Sequence, residues 1–145
     1  MINALLLYVS IMQGNIIDCP LAVVSQSVDS VLCEKGFEIT HISKCEIAGT
    51  KVLEDAGQIS QYIIENWFDE NPGWTKARIM VSFMLQVVDE RRSVISLKAK
   101  FERFGTPNKF LLIPPIWVES PTNGEFEKIL LNEIIMSLKS MMEEK

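Results

Sequence analysis

Apolar and polar residues alternate most regularly between Thr75 and Gly105. Ala77, Ile79, Val81, Phe83, Leu85 and Val87 share one parity, and Arg78, Ser82 and Gln86 the other. Ile95, Leu97, Ala99 and Phe101 then alternate with Ser96, Lys98, Lys100 and Glu102. A period of two marks half-buried strands, because a helix would scatter these residues around its circumference. The polar block Asp89-Glu90-Arg91-Arg92 separates the two runs, so an antiparallel hairpin over 77–104 is the economical connection. Matching the apolar faces sets Val87 opposite Ile95, Phe83 opposite Ala99 and Val81 opposite Phe101. This leaves Glu90, Arg91 and Arg92 as a three-residue loop. Such loops favour a glycine at their end, and none is present, so strain or a bulge is expected at this turn. Met80, Met84 and Val88 on the opposite parity suggest partial cover of the second face.

The flanking patterns are helical. Asp18-Cys19-Pro20 is a helix-start signal, with Asp18 or Cys19 as cap and Pro20 in the first turn. Leu21, Val24, Val28, Val31 and Leu32 follow at helical spacing, and Gly36 closes the helix with Phe37 packing behind it. Phe37–Ile42 begins a strand, and Gly49-Thr50 reads as a turn or bulge. A helix is expected from about Ala56 to Phe68, before the break at Asp69-Glu70-Asn71-Pro72-Gly73. Pro114 and Pro115 stop the short run 110–113 and place Ile116–Val118 at a sheet edge. The last helix spans Gly124 to about Met142, capped by Thr122 or Asn123, with Phe126, Leu130, Ile134, Leu138 and Met141 as its apolar stripe. Helices 20–35 and 124–142 thus cover one face of an antiparallel sheet, giving a single α+β domain over 1–145.

The charge balance narrows the partners. Fourteen basic residues against nineteen acidic give a net charge of −5, with no Lys/Arg-rich tract. Nucleic acid and anionic membrane surfaces both select basic faces, so neither is expected. The apolar run in Met1–Met12 is too short to span a bilayer as a helix. It reads as a first strand or short helix of the core, with a signal or anchor segment as the competing reading of 1–17.

No GxSxG, HExxH, CxxC, P-loop or GxGxxG motif is present. Cys33, His41 and Cys45 match no standard zinc spacing, so no catalytic residue, metal or cofactor is expected, and the reading is a non-enzyme. Cys33 and Cys45 remain candidates for a disulfide in an oxidising compartment. The Met-rich end of the last helix, Met136, Met141 and Met142, is either core or an adaptable face.

One surface stands out. Opposite the hairpin turn, loops 69–76 and 105–118 should converge and bring Trp74, Phe110, Pro114, Pro115 and Trp117 together. Large aromatics beside rigid prolines anchor interfaces; the alternative is that these rings plug the open end of the core.

The order helix, strand, helix, hairpin, long helix, with Leu32…Gly36-Phe37-Glu38-Ile39 at the first joint and Gly49 after it, resembles small helix-grip α+β domains of bacterial envelope lipoproteins. The lipoprotein subunit of the outer-membrane β-barrel assembly machinery is of this kind. Asp18 stands where a lipobox takes a small residue before Cys19, so lipid attachment does not carry over. The resemblance implies a non-catalytic binding or scaffold domain associated with the bacterial envelope; a cytoplasmic setting is the other option. The alternative function is a carrier of a small apolar ligand held between the last helix and the sheet.

Overall fold

In the computed structural model, which describes residues 14–64, 72–110 and 112–143, the two alternating runs pair along their whole length. They form β4 (Gly73–Val87) and β5 (Ser93–Thr106), the centre of a six-stranded antiparallel sheet. The other strands are β1 (Asn15–Ile17), β2 (Glu38–Ile42), β3 (Glu46–Leu53) and β6 (Ile116–Ser120). The order is β1-β5-β4-β3-β2, with β6 also pairing β5. Helices α1 (Leu21–Glu34) and α2 (Glu125–Glu143) pack on one face. The fold is α+β, as the pattern of elements predicts.

The hairpin parity is as expected, but the register is not. Val87 faces Ser93, Leu85 faces Ile95, Phe83 faces Leu97, Val81 faces Ala99 and Ile79 faces Phe101. The expected pairing is therefore displaced by two residues, a shift that parity cannot detect. The connection is five residues, Val88 to Arg92, because Asp89 organises it. Its Oδ1 accepts from the amides of Arg91 (2.8 Å) and Arg92 (2.9 Å), and its Oδ2 accepts from Arg92 Nε (2.9 Å) and Nη2 (2.7 Å). An aspartate folding back on its own turn removes the need for glycine. Val87, expected on the core face, is 62 % exposed, although its partner Ser93 is buried. The opposite face carries no described helix; Met84 is 44 % exposed on it and Met80 half-buried.

Helix α1 starts one step later than its signal suggests. Pro20 is the cap, with no side-chain hydrogen bond, and its carbonyl accepts from Val23 and Val24. Cys19 is buried instead of capping. At the other end Gly36 adopts φ +85° and the Phe37 amide donates to the Leu32 carbonyl at 2.9 Å, the cap expected there. Lys51 Nζ adds a cation to this carbonyl end, donating to Lys35 O at 2.7 Å.

Gly49 is not a turn. It lies inside β3 opposite Val81, and a Cβ there would stand 3.3 Å from Glu38 O and 3.6 Å from Leu32 Cδ1. Its smallness leaves room for the Glu38 carbonyl of β2, the one atom that a Cβ would crowd. The expected helix 56–68 is a 3-10 helix, Ala56–Tyr62, begun by Asp55 accepting from Gly57 N. Extended backbone takes over at Ile63, which bridges Thr122. Residues 65–71 lie outside the described residues, as do 1–13, so the readings of Trp67, Phe68 and the N-terminal apolar run fall there too.

The core gathers Val24, Val28 and Leu32 of α1, Leu130, Ile134 and Leu138 of α2, and Phe83, Leu85, Ile95 and Phe101 of the sheet. Leu97, expected to be buried with them, is only half-buried. Ser27 is buried, donating to the Ile134 carbonyl at 3.4 Å and joining the two helices. Asn123 caps α2 by accepting from the Glu125 amide at 2.9 Å, while Thr122 Oγ1 accepts from Gly124 N and donates to the Glu127 carboxylate.

Candidate functional site

The open end of the hairpin is built on a bulge. Trp74 pairs Gly105 and Lys76 pairs Phe104, leaving Thr75 as the extra residue, its hydroxyl donating to Phe104 O at 3.1 Å. Gly73 and Gly105 let the two backbones close up here. Gly105 has φ +150°, and a Cβ on it would collide with the Gly73 carbonyl. The extra residue inverts the parity of whatever precedes it. Trp74, which unbroken alternation would put beside Lys76 on the outer face, joins the core row of Gly105 and Arg103.

The structure thus brings loops 72–76 and 105–118 together but separates the two tryptophans. Trp74 is half-buried on the core side, with the Arg103 guanidinium 4.8 Å over its ring. Arg103 is itself buried and donates from Nε to Ser120 Oγ at 3.0 Å. The Trp74 indole N–H is buried with no hydrogen-bond partner among the described residues. Trp117 faces outward, packed on Phe104 at 5.2 Å, with Arg78 at 4.0 Å and Lys76 at 5.6 Å from its ring. Arg78 also pairs with Glu102. Stacked cations and rings make Trp117 a rigid shoulder, since each such contact restrains both partners.

Beyond that shoulder the loop is apolar and open. Phe110 is 71 % exposed, and Leu112, Ile113, Pro114, Pro115 and Ile116 are exposed with it. Asn108 Oδ1 accepts from the Phe110 amide at 3.0 Å and shapes the turn that presents this ring. Of the five residues singled out by sequence, Phe110, Pro114 and Pro115 lie on this apron, Trp117 borders it, and Trp74 belongs to the closure of the core. Leu112, Ile113 and Ile116 were missing from that set. Their signal was the placement of an apolar run between a turn and a Pro-Pro pair, where no sheet face was left to bury it.

The other candidate chemistry is dispersed. Cys33 ends α1 and hydrogen-bonds Asp29, Cys45 lies in the β2–β3 turn beside Ser43, and His41 stands 4.0 Å from Glu46. Among the described residues no three His, Cys, Asp or Glu side chains are placed to share a metal, and all three cysteines are free. Burial raises the Cys19 thiol pKa, helped by the charge of Asp18, so this thiol is a poor nucleophile. The space between α2 and the sheet is filled by Leu130, Ile134 and Phe101, all at 0 % exposure. At the far end of α2 a groove of about 410 Å³ opens between Ile16, Ile17, Cys19, Ile135, Leu138 and Met142, and near its start a more polar one of about 730 Å³ opens over Leu97, Ala99, Thr122 and Glu127. No described helix is long and apolar enough to cross a membrane. No protein-family model and no curated protein sequence matches this chain.

Proposed function

We propose that this chain is a non-catalytic binding domain that engages a protein partner through the apolar apron formed by Phe110 and residues 112–116. The observation that carries the reading is the exposure of Phe110 and Leu112, with Ile113 and Ile116 about half exposed after them, on a loop springing from a sheet end fixed by the Thr75 bulge and the Gly73–Gly105 approach. Contiguous exposed apolar residues on a rigid base mark interaction sites, and a pre-formed loop loses little entropy when it docks. The bacterial envelope, suggested by the resemblance in element order, is the proposed setting. The test is a paired measurement on the full chain carrying Phe110→Asp with Leu112→Asp. Unfolding free energy should stay within about 0.5 kcal/mol of the parent, as for exposed positions. Photo-crosslinking from position 113 to a co-purified protein should be lost. Crosslinks of unchanged yield in the double variant would refute the assignment.

A second reading, a carrier of a small apolar ligand, rests on the groove between Ile17 and Met142. Native mass spectrometry of gently purified protein tests it: a bound apolar molecule released by Leu138→Gln supports it, and bare protein counts against it.

A further inference from the structure

The core-facing row of β3 contains a charge. Ile47, Gly49, Lys51 and Leu53 pair Phe83, Val81, Ile79 and Ala77, all four of them buried. Lys51 thus stands where alternation calls for an apolar residue, and it is half-buried. Its ammonium donates to Lys35 O at 2.7 Å and lies 6.0 Å from the centre of the Phe37 ring. That bond uses one of its protons and leaves two. Among the described residues no carboxylate pairs with it. A partly buried ammonium without a counter-ion attracts an anion.

Lys51 borders a pocket of about 400 Å³ between the end of α1, the 3-10 helix and the start of α2. Phe37, Tyr62 and Phe126 wall it over Ile79, and the exposed Gln58 and Gln61 stand at its mouth. The rings meet edge-on or tilted, Tyr62 and Phe126 at 5.2 Å and 68°, Phe37 and Phe126 at 6.3 Å and 44°. A further flat ring extends such a cluster. No acidic side chain lines the pocket. The carboxylates around it are engaged elsewhere, Glu133 on Lys35, Glu127 on the Thr122 hydroxyl and Asp55 on the Gly57 amide. Glu34 and Glu54 are exposed outside it. The mouth also lies away from the chain positions that flank 1–13 and 65–71. Strand β1 is three strands from β3, Ile64 is tied to Pro121, and Gly73 pairs Thr106 of β5.

We propose that this pocket binds a small aromatic carboxylate, its ring against Phe37, Tyr62 and Phe126 and its carboxylate on the Lys51 ammonium. The volume suits a ligand of one or two rings. Lys51 then serves twice, closing the end of α1 with one proton and meeting the ligand with the others in a charge-assisted bond. The site is separate from the apron, and from the groove at Ile17 and Met142, which lies at the opposite end of α2.

The probe is 1-naphthoate, titrated into isotope-labelled full-length chain, with the neutral 1-naphthamide as its isostere. Naphthoate should give saturable amide shifts centred on Phe37, Lys51 and Tyr62, and naphthamide should bind about tenfold more weakly. Lys51→Gln removes the charge and keeps a donor for Lys35 O. It should bind both molecules equally, at the weaker level. If that variant folds poorly, the comparison of acid and amide on the parent chain decides. Equal affinity there overturns the proposal. So does the absence of saturable shifts at millimolar naphthoate, or shifts centred on 112–116 or on Ile16 and Ile17. Full naphthoate affinity in Lys51→Gln would mean that Lys51 only closes α1, and overturns it too.

Discussion

Phe101→Ala probes the packing on which the whole sheet depends. The ring is fully buried, with its strand neighbours Ile79 on β4 and Ser120 on β6. It stands edge-on to Phe126 of α2 at 5.6 Å and 87°, and 6.2 Å from Tyr62 of the 3-10 helix at 24°. Truncation removes the transfer energy of the ring and leaves a cavity walled by three elements. Losses of about 3–5 kcal/mol are usual for a buried phenylalanine. The two ring contacts contribute roughly 0.5–1.5 kcal/mol each of that total. Urea unfolding followed by far-UV circular dichroism reads the loss, and with a slope of about 2 kcal/mol/M a 4 kcal/mol change lowers the midpoint by about 2 M. Phe101→Leu, which keeps most of the volume, should recover more than half. A cycle with Phe126→Ala should return a coupling of about 1 kcal/mol. A loss below about 1 kcal/mol, or no coupling, would mean that α2 does not lie over this part of β5.

The two tryptophans should behave differently. Trp74→Ala should cost about 2–3 kcal/mol, less than full burial implies, whereas Trp117→Ala should cost about 1 kcal/mol or less, the scale of an exposed cation–π contact; equal losses in urea unfolding would contradict the parity inversion at Thr75. Gly105→Ala should lower stability by more than about 2 kcal/mol, because both the left-handed φ and the approach of Gly73 exclude a side chain; a neutral effect in the same assay would be inconsistent with this crossing. Hydrogen bonding from Arg92 lowers the Asp89 pKa, so the turn gains stability above the ordinary carboxylate range and loses it as pH falls through the depressed value. An NMR titration of the Asp89 carboxyl should find its midpoint below that of a model aspartate, and a midpoint at or above it would contradict the turn geometry.

The hairpin, both helices and their caps at Gly36 and Asn123 were legible because each rests on local pattern: alternation, 3.6-residue spacing, or a side chain folding on its own backbone. The register was not, since parity leaves shifts of two residues degenerate and only the Asp89 turn breaks the tie. The segment after Ala56 reads as helical by spacing, yet it is 3-10 only as far as Tyr62 and extended from Ile63, where it is held by Pro121, Thr122 and Asn123, partners some sixty residues away. At the candidate site the convergence of the two loops followed from hairpin geometry alone. The separation of Trp74 from Trp117 did not, because one inserted residue at Thr75 reverses a face without altering composition.

The position of β5 also governs the order in which the chain can fold. Strand β1 finds its partner eighty residues later, Asn15 on Ile95, and Ser27 of α1 meets Ile134 across 107 positions. Strands β2 to β6, by contrast, each pair with the next strand in sequence. Loop-closure entropy therefore falls chiefly on the two ends of the chain, which makes folding slow in the manner of non-local topologies. During synthesis the apolar stripe of α1 emerges well before the strands and the helix that will bury it. For that interval Val24, Val28 and Leu32 face solvent, and the nascent protein is a client for whatever shields exposed apolar surface at the ribosome.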